Sequence, residues 1–304
     1  MSRIHEALKR AEHERAATPG GEVVTARVDS VAERAPARVD AAATFTTSVR
    51  TQTHVASPVP EQLTLESVRS RCQQARWRPL PNVNVFANPN VTAHAAEQFR
   101  TLRSRLYQLR GDKQLRSVLV TSAVPNEGKS FVTNNLAQAI ARQAGRSALI
   151  IDADLRRPHL HIPMGAPVSP GLSDYLRGDV DEMAIIQRGR EEDLFFIPGG
   201  NTATNPSELL MNGRFKSLLN RLMPVFHWVI VDSPPCLMVS DASVIADVCD
   251  GILLVVRAAS TPAASAQRAR QELQGKNVLG AVLNSVEGGP SYGSYYYDYG
   301  KPKE

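Results

Sequence analysis

The stretch VTSAVPNEGKS, residues 120–130, decides the fold of this chain, because it joins an apolar strand pattern to the start of a helical one. A strand that runs through such a loop into a helix is the setting of a P-loop. Backbone N–H groups of the loop and the positive end of the helix attract an anion. Gly128 lets the backbone approach phosphates, Lys129 places a positive charge on the β- and γ-phosphates, and Ser130 offers a hydroxyl to Mg²⁺.

Carboxylates follow two further apolar runs. Asp152 comes directly after Ala-Leu-Ile-Ile, Asp154 follows two residues later, and Asp232 comes directly after Val-Ile-Val. Ligands of parallel sheets lie beyond the carboxyl ends of the strands, so we expect these aspartates beside the P-loop. A single aspartate at a strand end is more often a helix cap or a turn residue. Three of them beside a P-loop are better explained as a catalytic set, in which Asp154, Asp232 and Ser130 hold Mg²⁺.

The whole pattern predicts an α/β fold of the P-loop NTPase type, a mostly parallel sheet with helices on both faces. Near-continuous apolar strands indicate that both faces are covered. We predict strands at 116–122, 147–151, 194–197, 227–232, 251–257 and 278–284. We predict helices at 93–110, 128–143, 171–177, 206–222, 240–247 and 262–274.

Composition limits the classes of function. The chain has 304 residues, 42% of them hydrophobic, which is enough for one sizeable core. The net charge of +5 is spread along the chain without an interleaved basic and aromatic stripe, so we expect no nucleic-acid partner. The three cysteines lack metal-ligand spacing and fit a reducing cytosol. No apolar run reaches the roughly 18–20 residues of a membrane helix, so we expect a cytoplasmic protein whose membrane contact is peripheral.

The chain divides into four predicted parts. Residues 1–16 predict a short helix, either a docking segment or a solvated helix. Residues 17–80 predict a mostly disordered linker, with a further helix conceivable at 61–76. Residues 81–286 form the compact domain. Residues 287–304 predict a flexible tail, which holds five of the chain's seven tyrosines: Tyr292, Tyr295, Tyr296, Tyr297 and Tyr299.

These motifs together resemble one family, the bacterial tyrosine kinases of polysaccharide production and export. The family pattern is a P-loop, then three apolar residues and Asp-x-Asp-x-Arg, then three apolar residues and Asp-x-x-Pro, then a tyrosine cluster. The corresponding segments here begin at Ala123, Leu149, Val229 and Tyr292. The first eleven residues also resemble the start of autokinases associated with exosortase-type exopolysaccharide loci.

The resemblance implies an ATP- and Mg²⁺-dependent autokinase that phosphorylates the tyrosine cluster of a neighbouring subunit. Lys129, Asp154 and Asp232 would act on the phosphoryl group, and Asp152 matches the position that accepts the tyrosine proton. The implied nucleotide-binding residues are Pro125, Asn126, Glu127, Gly128, Lys129, Ser130, Phe131 and Asn284.

The resemblance also implies partners. Family members carry Glu-x-x-Arg-x-x-Arg before the first core strand, linked to ring-like self-association, and this chain has Glu97, Arg100 and Arg103. On its own that spacing is most often a solvated helix face with internal ion pairs. We expect a separate membrane polysaccharide co-polymerase as activator, and a tyrosine phosphatase as a further partner.

Two other interpretations remain open at this point. A P-loop ATPase of the partition or septum-positioning type shares the fold, but those proteins usually carry a lysine five residues before the P-loop lysine, where this chain has Val124. A non-catalytic ATP-dependent scaffold would explain the tail as a low-complexity aromatic segment. Tyrosine phosphate in the purified protein would favour the kinase over both.

Overall fold

The computed structural model describes residues 63–87, 93–111, 113–189 and 193–286. The predicted helix at 1–16, residues 17–62 of the predicted linker and the tyrosine tail lie outside these ranges and stay predictions. None of the described helices is both long enough and apolar enough to cross a membrane.

The described residues form one eight-stranded sheet with the strand order β1-β4-β5-β3-β6-β2-β7-β8. All neighbouring strands are parallel except β4 and β5. The strands are β1 (Gln73–Gln74), β2 (Ser117–Ser122), β3 (Ala148–Asp152), β4 (Gln187–Arg188), β5 (Leu194–Ile197), β6 (Trp228–Asp232), β7 (Gly251–Arg257) and β8 (Val278–Asn284). The helices are α1 (Leu65–Arg71), α2 (Ala93–Arg110), α3 (Lys129–Ala141), α4 (His161–Met164), α5 (Leu172–Arg177), α6 (Glu182–Ile185), α7 (Pro206–Met211), α8 (Arg214–Leu222), α9 (Asp241–Ala246) and α10 (Ala263–Glu272).

The central strands are covered on both faces, as the apolar runs predicted. Every residue of β2, β3 and β6 is buried. Leu149 and Ile151 belong to the hydrophobic cluster on one face of the sheet, and Ala148 and Ile150 belong to the cluster on the other. This alternation follows from the two-residue period of a strand, and it confirms the predicted α/β fold with helices on both faces.

The predicted elements match the structure closely, with one helix as the main exception. The six predicted strands agree with the observed bounds to within one residue at each end. The helix predicted at 206–222 is two helices, because Gly213 between them has a φ of 81°. A left-handed glycine ends one helix and allows the chain to turn into the next. The sequence also missed β1, β4, α4 and α6, each too short to produce a periodic pattern.

The predicted domain boundary near Pro81 is too late. Helix α1 begins at Leu65, and the side chain of Val68 is completely buried in the core. Strand β1 pairs with β4, so residues 73–74 are part of the sheet. The further helix considered at 61–76 is confirmed in part by α1. The sequence missed the earlier domain boundary because the segment contributes single apolar residues and a two-residue strand, without a sustained period. The predicted linker is therefore folded from about residue 63 onward.

Candidate active site

The fold brings the predicted motifs to one rim because β3, β6 and β2 are adjacent and parallel. Their carboxyl ends therefore lie side by side, and Asp152 is the register partner of Asp232 across β3 and β6. The loop between β2 and α3 lies at this same rim. The crevice beyond the carboxyl ends of parallel strands is where ligands of such sheets bind.

Two residues of the loop adopt left-handed backbone conformations. Gly128 has a φ of 93°, and a Cβ atom built there would lie 2.0 Å from Nδ2 of Asn284. Only glycine satisfies both the dihedral and the close approach. Asn126 has a φ of 64°, a conformation that asparagine tolerates better than most residues with a side chain. The loop thus reverses tightly before α3, whose N-terminal backbone N–H groups have no partner within the helix.

The loop is braced from the carboxyl ends of β7 and β8, the two strands beyond β2 in the sheet. The Glu127 carboxylate is buried and accepts hydrogen bonds from the Val124 N–H, at 2.7 Å, and from the Thr261 hydroxyl. Asn284 donates its amide N–H to the Glu127 carbonyl at 2.9 Å. The Glu127 side chain therefore supports the loop from within the protein. Sequence reasoning missed Thr261, which has no motif around it and lies 134 residues further along the chain.

Lys129, Ser130, Asp154 and Asp232 meet at the base of the loop. Lys129 Nζ lies 3.3 Å from Asp154 Oδ2 and 3.8 Å from Asp232 Oδ2. The Ser130 hydroxyl donates to Asp232 Oδ2 at 2.6 Å. Burial alone would lower the pKa of Lys129, but the nearby charges of Asp232 and Asp154 raise it. The lysine is therefore held in its charged form beside the two carboxylates.

Asp152 lies deeper than the other two aspartates and is completely buried. It accepts backbone hydrogen bonds from Asp154 at 3.2 Å, His159 at 3.0 Å and Leu160 at 3.1 Å. Burial raises the pKa of Asp152 to about 8, and the charge of Asp232 adds to this effect. The carboxylate thus anchors the loop that follows β3 and that carries Asp154.

A second group of side chains fixes that loop at its other end. Arg156 forms a bidentate ion pair with the fully buried Asp241, with Nε–Oδ2 at 2.8 Å and Nη2–Oδ1 at 3.0 Å. Arg156 Nη2 also donates to the Ser207 hydroxyl at 3.1 Å. The loop is therefore tied to α7 and α9. Sequence reasoning missed both Asp241 and Ser207, which are 85 and 51 residues from Arg156 along the chain.

Phe131 does not direct its side chain at the loop. Its ring packs edge-on against Phe99 of α2, with ring centroids 5.8 Å apart, and so helps to hold α2 against α3. Any contact of Phe131 with a nucleotide would have to come from its backbone. Pro125 lies in the loop between β2 and α3.

The three predicted interface residues do not share one environment. Glu97 and Arg100 are exposed and form an ion pair of 3.0 Å on the surface of α2. Arg103 is half-buried and donates from Nη1 to the carbonyl oxygen of Ala139, at 2.7 Å, in the last turn of α3. Arg103 therefore stabilises the contact between α2 and α3 within one chain.

The donor set at the rim fits a magnesium ion that is shared with phosphate groups. Ser130, Asp154 and Asp232 offer hydroxyl and carboxylate oxygens, the hard ligands that Mg²⁺ prefers. Within the described ranges no three His, Cys, Asp or Glu side chains are grouped so that they could hold a metal ion. A site of this kind would complete its coordination with phosphate oxygens and water, which is the usual behaviour of Mg²⁺.

Comparison with known proteins finds bacterial tyrosine kinases both by sequence and by structure. No protein-family model matches the chain. The chain is 35% identical over 203 residues to the tyrosine-protein kinase YwqD of Bacillus subtilis, covering 66% of this chain and 85% of that protein. It is 34% identical over 219 residues to the putative tyrosine-protein kinase CapB of Staphylococcus aureus, covering 71% of this chain and 95% of that protein. The solved kinase domain of the Escherichia coli tyrosine kinase ETK superposes with a TM-score of 0.65 at 35% identity, covering 70% of this chain and 84% of that one.

Proposed function

The chain belongs to the family of bacterial tyrosine kinases, and we propose that it transfers the γ-phosphoryl group of ATP to the tyrosine cluster of its own C-terminal segment, with a neighbouring copy as the acceptor. The observation that carries this proposal is the meeting of Lys129, Ser130, Asp154 and Asp232 at the base of one loop. A charged lysine and hard oxygen ligands beside a helix N-terminus are what a nucleoside triphosphate requires.

The residues of the rim divide the work of phosphoryl transfer. The N–H groups of the loop and of the first turn of α3 bind phosphate oxygens, and Lys129 leaves Asp154 and Asp232 to contact them. Mg²⁺ bound at this rim would neutralise charge on the phosphate groups. The negative charges of Asp154 and Asp232 offset the positive charge of Lys129. Arg156 holds the loop that carries Asp154 through its ion pair with Asp241. Catalysis of this kind is mainly positioning and electrostatic stabilisation.

Asp152 is the proposed proton acceptor for the attacking tyrosine. A neutral phenol titrates near ~10 and is a poor nucleophile unless its proton is accepted as transfer proceeds. Asp152 supports this role by its place at the end of β3, opposite Asp232. Because Asp152 is completely buried, the tyrosine hydroxyl must enter the site deeply to reach it, or Asp154, which lies nearer the surface, passes the tyrosine proton to Asp152.

The wider setting is proposed from family membership. Glu97, Arg100 and Arg103 would take part in a ring-like assembly, and the added charge of phosphotyrosine, roughly −1.5 to −2 per site, would loosen it. We place the protein in the cytoplasm, at the inner face of the membrane through a separate co-polymerase partner, with a tyrosine phosphatase reversing the modification. The process regulated would be the synthesis and export of an exopolysaccharide or capsule.

The proposal is tested with a charge deletion at the loop and a matched deletion elsewhere. Lys129→Met should lower autophosphorylation from γ-labelled ATP by about 100-fold or more, because it removes a charge that stabilises the transferring phosphoryl group. Lys216→Met, on the exposed side of α8, removes the same charge far from the rim and should leave labelling unchanged. Wild-type labelling in Lys129→Met would contradict the assignment. Tight Mg²⁺-ATP binding by the wild type without any tyrosine phosphate would favour a scaffold instead.

A further inference from the structure

A cavity of about 470 Å³ lies between the C-terminal half of α3 and residues 76–87. The segment 76–87 crosses α3 as a strap and is held at several points. Arg78 N–H donates to the Gly165 carbonyl at 3.2 Å, and Val85 N–H donates to Asn135 Oδ1 at 2.8 Å. The cavity is therefore a built part of the fold, and none of the loop residues between β2 and α3 lines it.

The described lining of this cavity, which we call the strap cavity, is positively charged. Arg76, Arg78 and Arg142 line it, and none of the lining residues that the structure describes is Asp or Glu. Arg76 and Arg78 form no ion pair with any residue in the described ranges. Both guanidinium groups are exposed, so they can turn toward a ligand. Guanidinium groups are suited to binding phosphate by paired hydrogen bonds.

The floor of the strap cavity is made of carboxamides. Asn134 and Gln138, one turn apart on α3, both donate to Asn84 Oδ1, at 2.6 and 2.7 Å. Gln138 Nε2 also donates to Asn134 Oδ1 at 3.1 Å. All three side chains are almost completely buried, and Gln138 Oε1 accepts no hydrogen bond from the described residues. Such a floor offers hydrogen bonds to hydroxyl groups or to the edge of a base.

One wall of the strap cavity is the indole of Trp77. Its ring packs edge-on against Phe196 and lies so close to Gly189 that a Cβ atom there would come within 2.8 Å of it. The indole N–H is buried and has no hydrogen-bond partner among the residues that the structure describes. The wall therefore presents an aromatic surface to the cavity.

We propose that the strap cavity binds a small phosphorylated ring compound, either a sugar phosphate or a nucleotide. Arg76 and Arg78 bind the phosphate, the carboxamides bind the polar edge of the ring, and Trp77 packs against it. The volume falls within the roughly 300–1,000 Å³ of small-molecule sites. The ligand would contact Asn134 and Gln138 on α3, the helix that carries Lys129 and Ser130 at its other end.

Binding is tested on the full chain in the Lys129→Met background, so that the loop site contributes little. The probes for isothermal titration calorimetry are glucose 1-phosphate, adenosine monophosphate, uridine diphosphate glucose and inorganic phosphate. We expect at least one ring compound to bind, and the double variant Arg76→Ala/Arg78→Ala to weaken it roughly tenfold or more, since each charge-assisted hydrogen bond to phosphate is strong. The matched control is Arg268→Ala/Arg270→Ala, two exposed arginines at the same spacing on α10, and it should bind as the parent does.

Preference for glucose 1-phosphate or for the nucleotide identifies which of the two sources the site serves. The proposal is overturned if no ring compound binds at millimolar concentration. It is also overturned if inorganic phosphate binds as tightly as the ring compounds, or if both double variants lose the same affinity. None of these outcomes depends on kinase activity, so the result is independent of the proposed phosphoryl transfer.

Discussion

At the scale of single residues, Asp152 has two roles: it is the proposed proton acceptor, and it anchors the loop after β3. Its side chain accepts three backbone hydrogen bonds from the loop that carries Asp154, and it is wholly buried. A buried acceptor with satisfied partners stabilises the fold, and replacing it leaves backbone donors without a partner. The residue that is proposed to accept a proton therefore also holds Asp154 in position.

This double role gives a prediction for Asp152→Asn. The amide can replace only part of the carboxylate's acceptor capacity. We expect turnover at saturating ATP and Mg²⁺ to fall at least ~100-fold, as for loss of a general base. We also expect the free energy of unfolding in urea to fall by about 1–3 kcal/mol, because buried N–H donors lose their partner. Autophosphorylation and urea titration are measured on the same preparation.

Asp154→Asn is the matched control, since its carboxylate lies nearer the surface and contacts Lys129. It should reduce turnover and weaken the response to Mg²⁺, with a smaller change in unfolding free energy. Full turnover of Asp152→Asn would show that Asp152 is not the proton acceptor. Unchanged stability of that variant would show that it does not anchor the loop.

The residues that the sequence identified at the site are those within contiguous motifs, such as Gly128, Lys129 and Asp232. Those it missed act from distant parts of the chain. Thr261 braces the loop through Glu127, and Asp241 holds Arg156. No local pattern marks such residues, because their role exists only once the sheet has brought their elements together.

At the scale of elements, α2 shows how one spacing can serve two purposes. The sequence predicts its bounds correctly, and Glu97 and Arg100 lie on its exposed side. Arg103, one turn further, instead donates to the Ala139 carbonyl in the last turn of α3. A cation near a helix C-terminus is favourable because it meets the unpaired carbonyl groups. The sequence spacing alone did not reveal this division.

We predict that the motif on α2 can be separated by mutation. Glu97→Ala/Arg100→Ala should shift the protein toward the 33.1 kDa monomer in light scattering and lower phosphorylation between subunits, with little change in stability. A surface ion pair of this kind contributes only about 0–1 kcal/mol. Arg103→Ala should lower the free energy of unfolding by about 1 kcal/mol, since it removes a hydrogen bond to a helix end.

The two variants control for each other. An unchanged oligomer in Glu97→Ala/Arg100→Ala would exclude these residues from the interface. Unchanged stability in Arg103→Ala would mean that its contact with Ala139 contributes nothing measurable to folding.

At the scale of the whole molecule, the end of β8 brings the last described residues close to the loop. Asn284 ends β8 and contacts the Glu127 carbonyl, so residue 286 leaves the described fold near its own active site. Tyr292 follows Val286 by six residues and Tyr299 by thirteen. A fully extended chain reaches at most about 3.3–3.6 Å per residue, which gives roughly 20 Å and 45 Å. Such a reach permits transfer within one chain as well as between neighbours.

The choice is made by separating the acceptor from the enzyme. Replacing Tyr292, Tyr295, Tyr296, Tyr297 and Tyr299 by phenylalanine keeps the aromatic rings and removes only the hydroxyl groups. This variant should bind Mg²⁺-ATP normally and lose nearly all self-labelling. Lys129→Met keeps the tyrosines but should lack activity, so it serves as the acceptor. Phosphopeptide mapping of a mixture of the phenylalanine variant and Lys129→Met then measures transfer between subunits directly.

We expect label on the tail of the Lys129→Met chain in that mixture, because the active subunit has no acceptor of its own. Adding Glu97→Ala/Arg100→Ala to both chains should reduce this label, since neighbours would no longer be held together, whereas Arg103→Ala should reduce it only as far as it loosens α2. If the mixture shows no label although the wild type labels itself, transfer occurs within one chain. If the phenylalanine variant still labels itself fully, the acceptor is one of the two tyrosines outside the tail, Tyr107 or Tyr175, or another residue type. Transfer within one chain would mean that the tail reaches its own active site. Assembly would then regulate the reaction but would not be required for it.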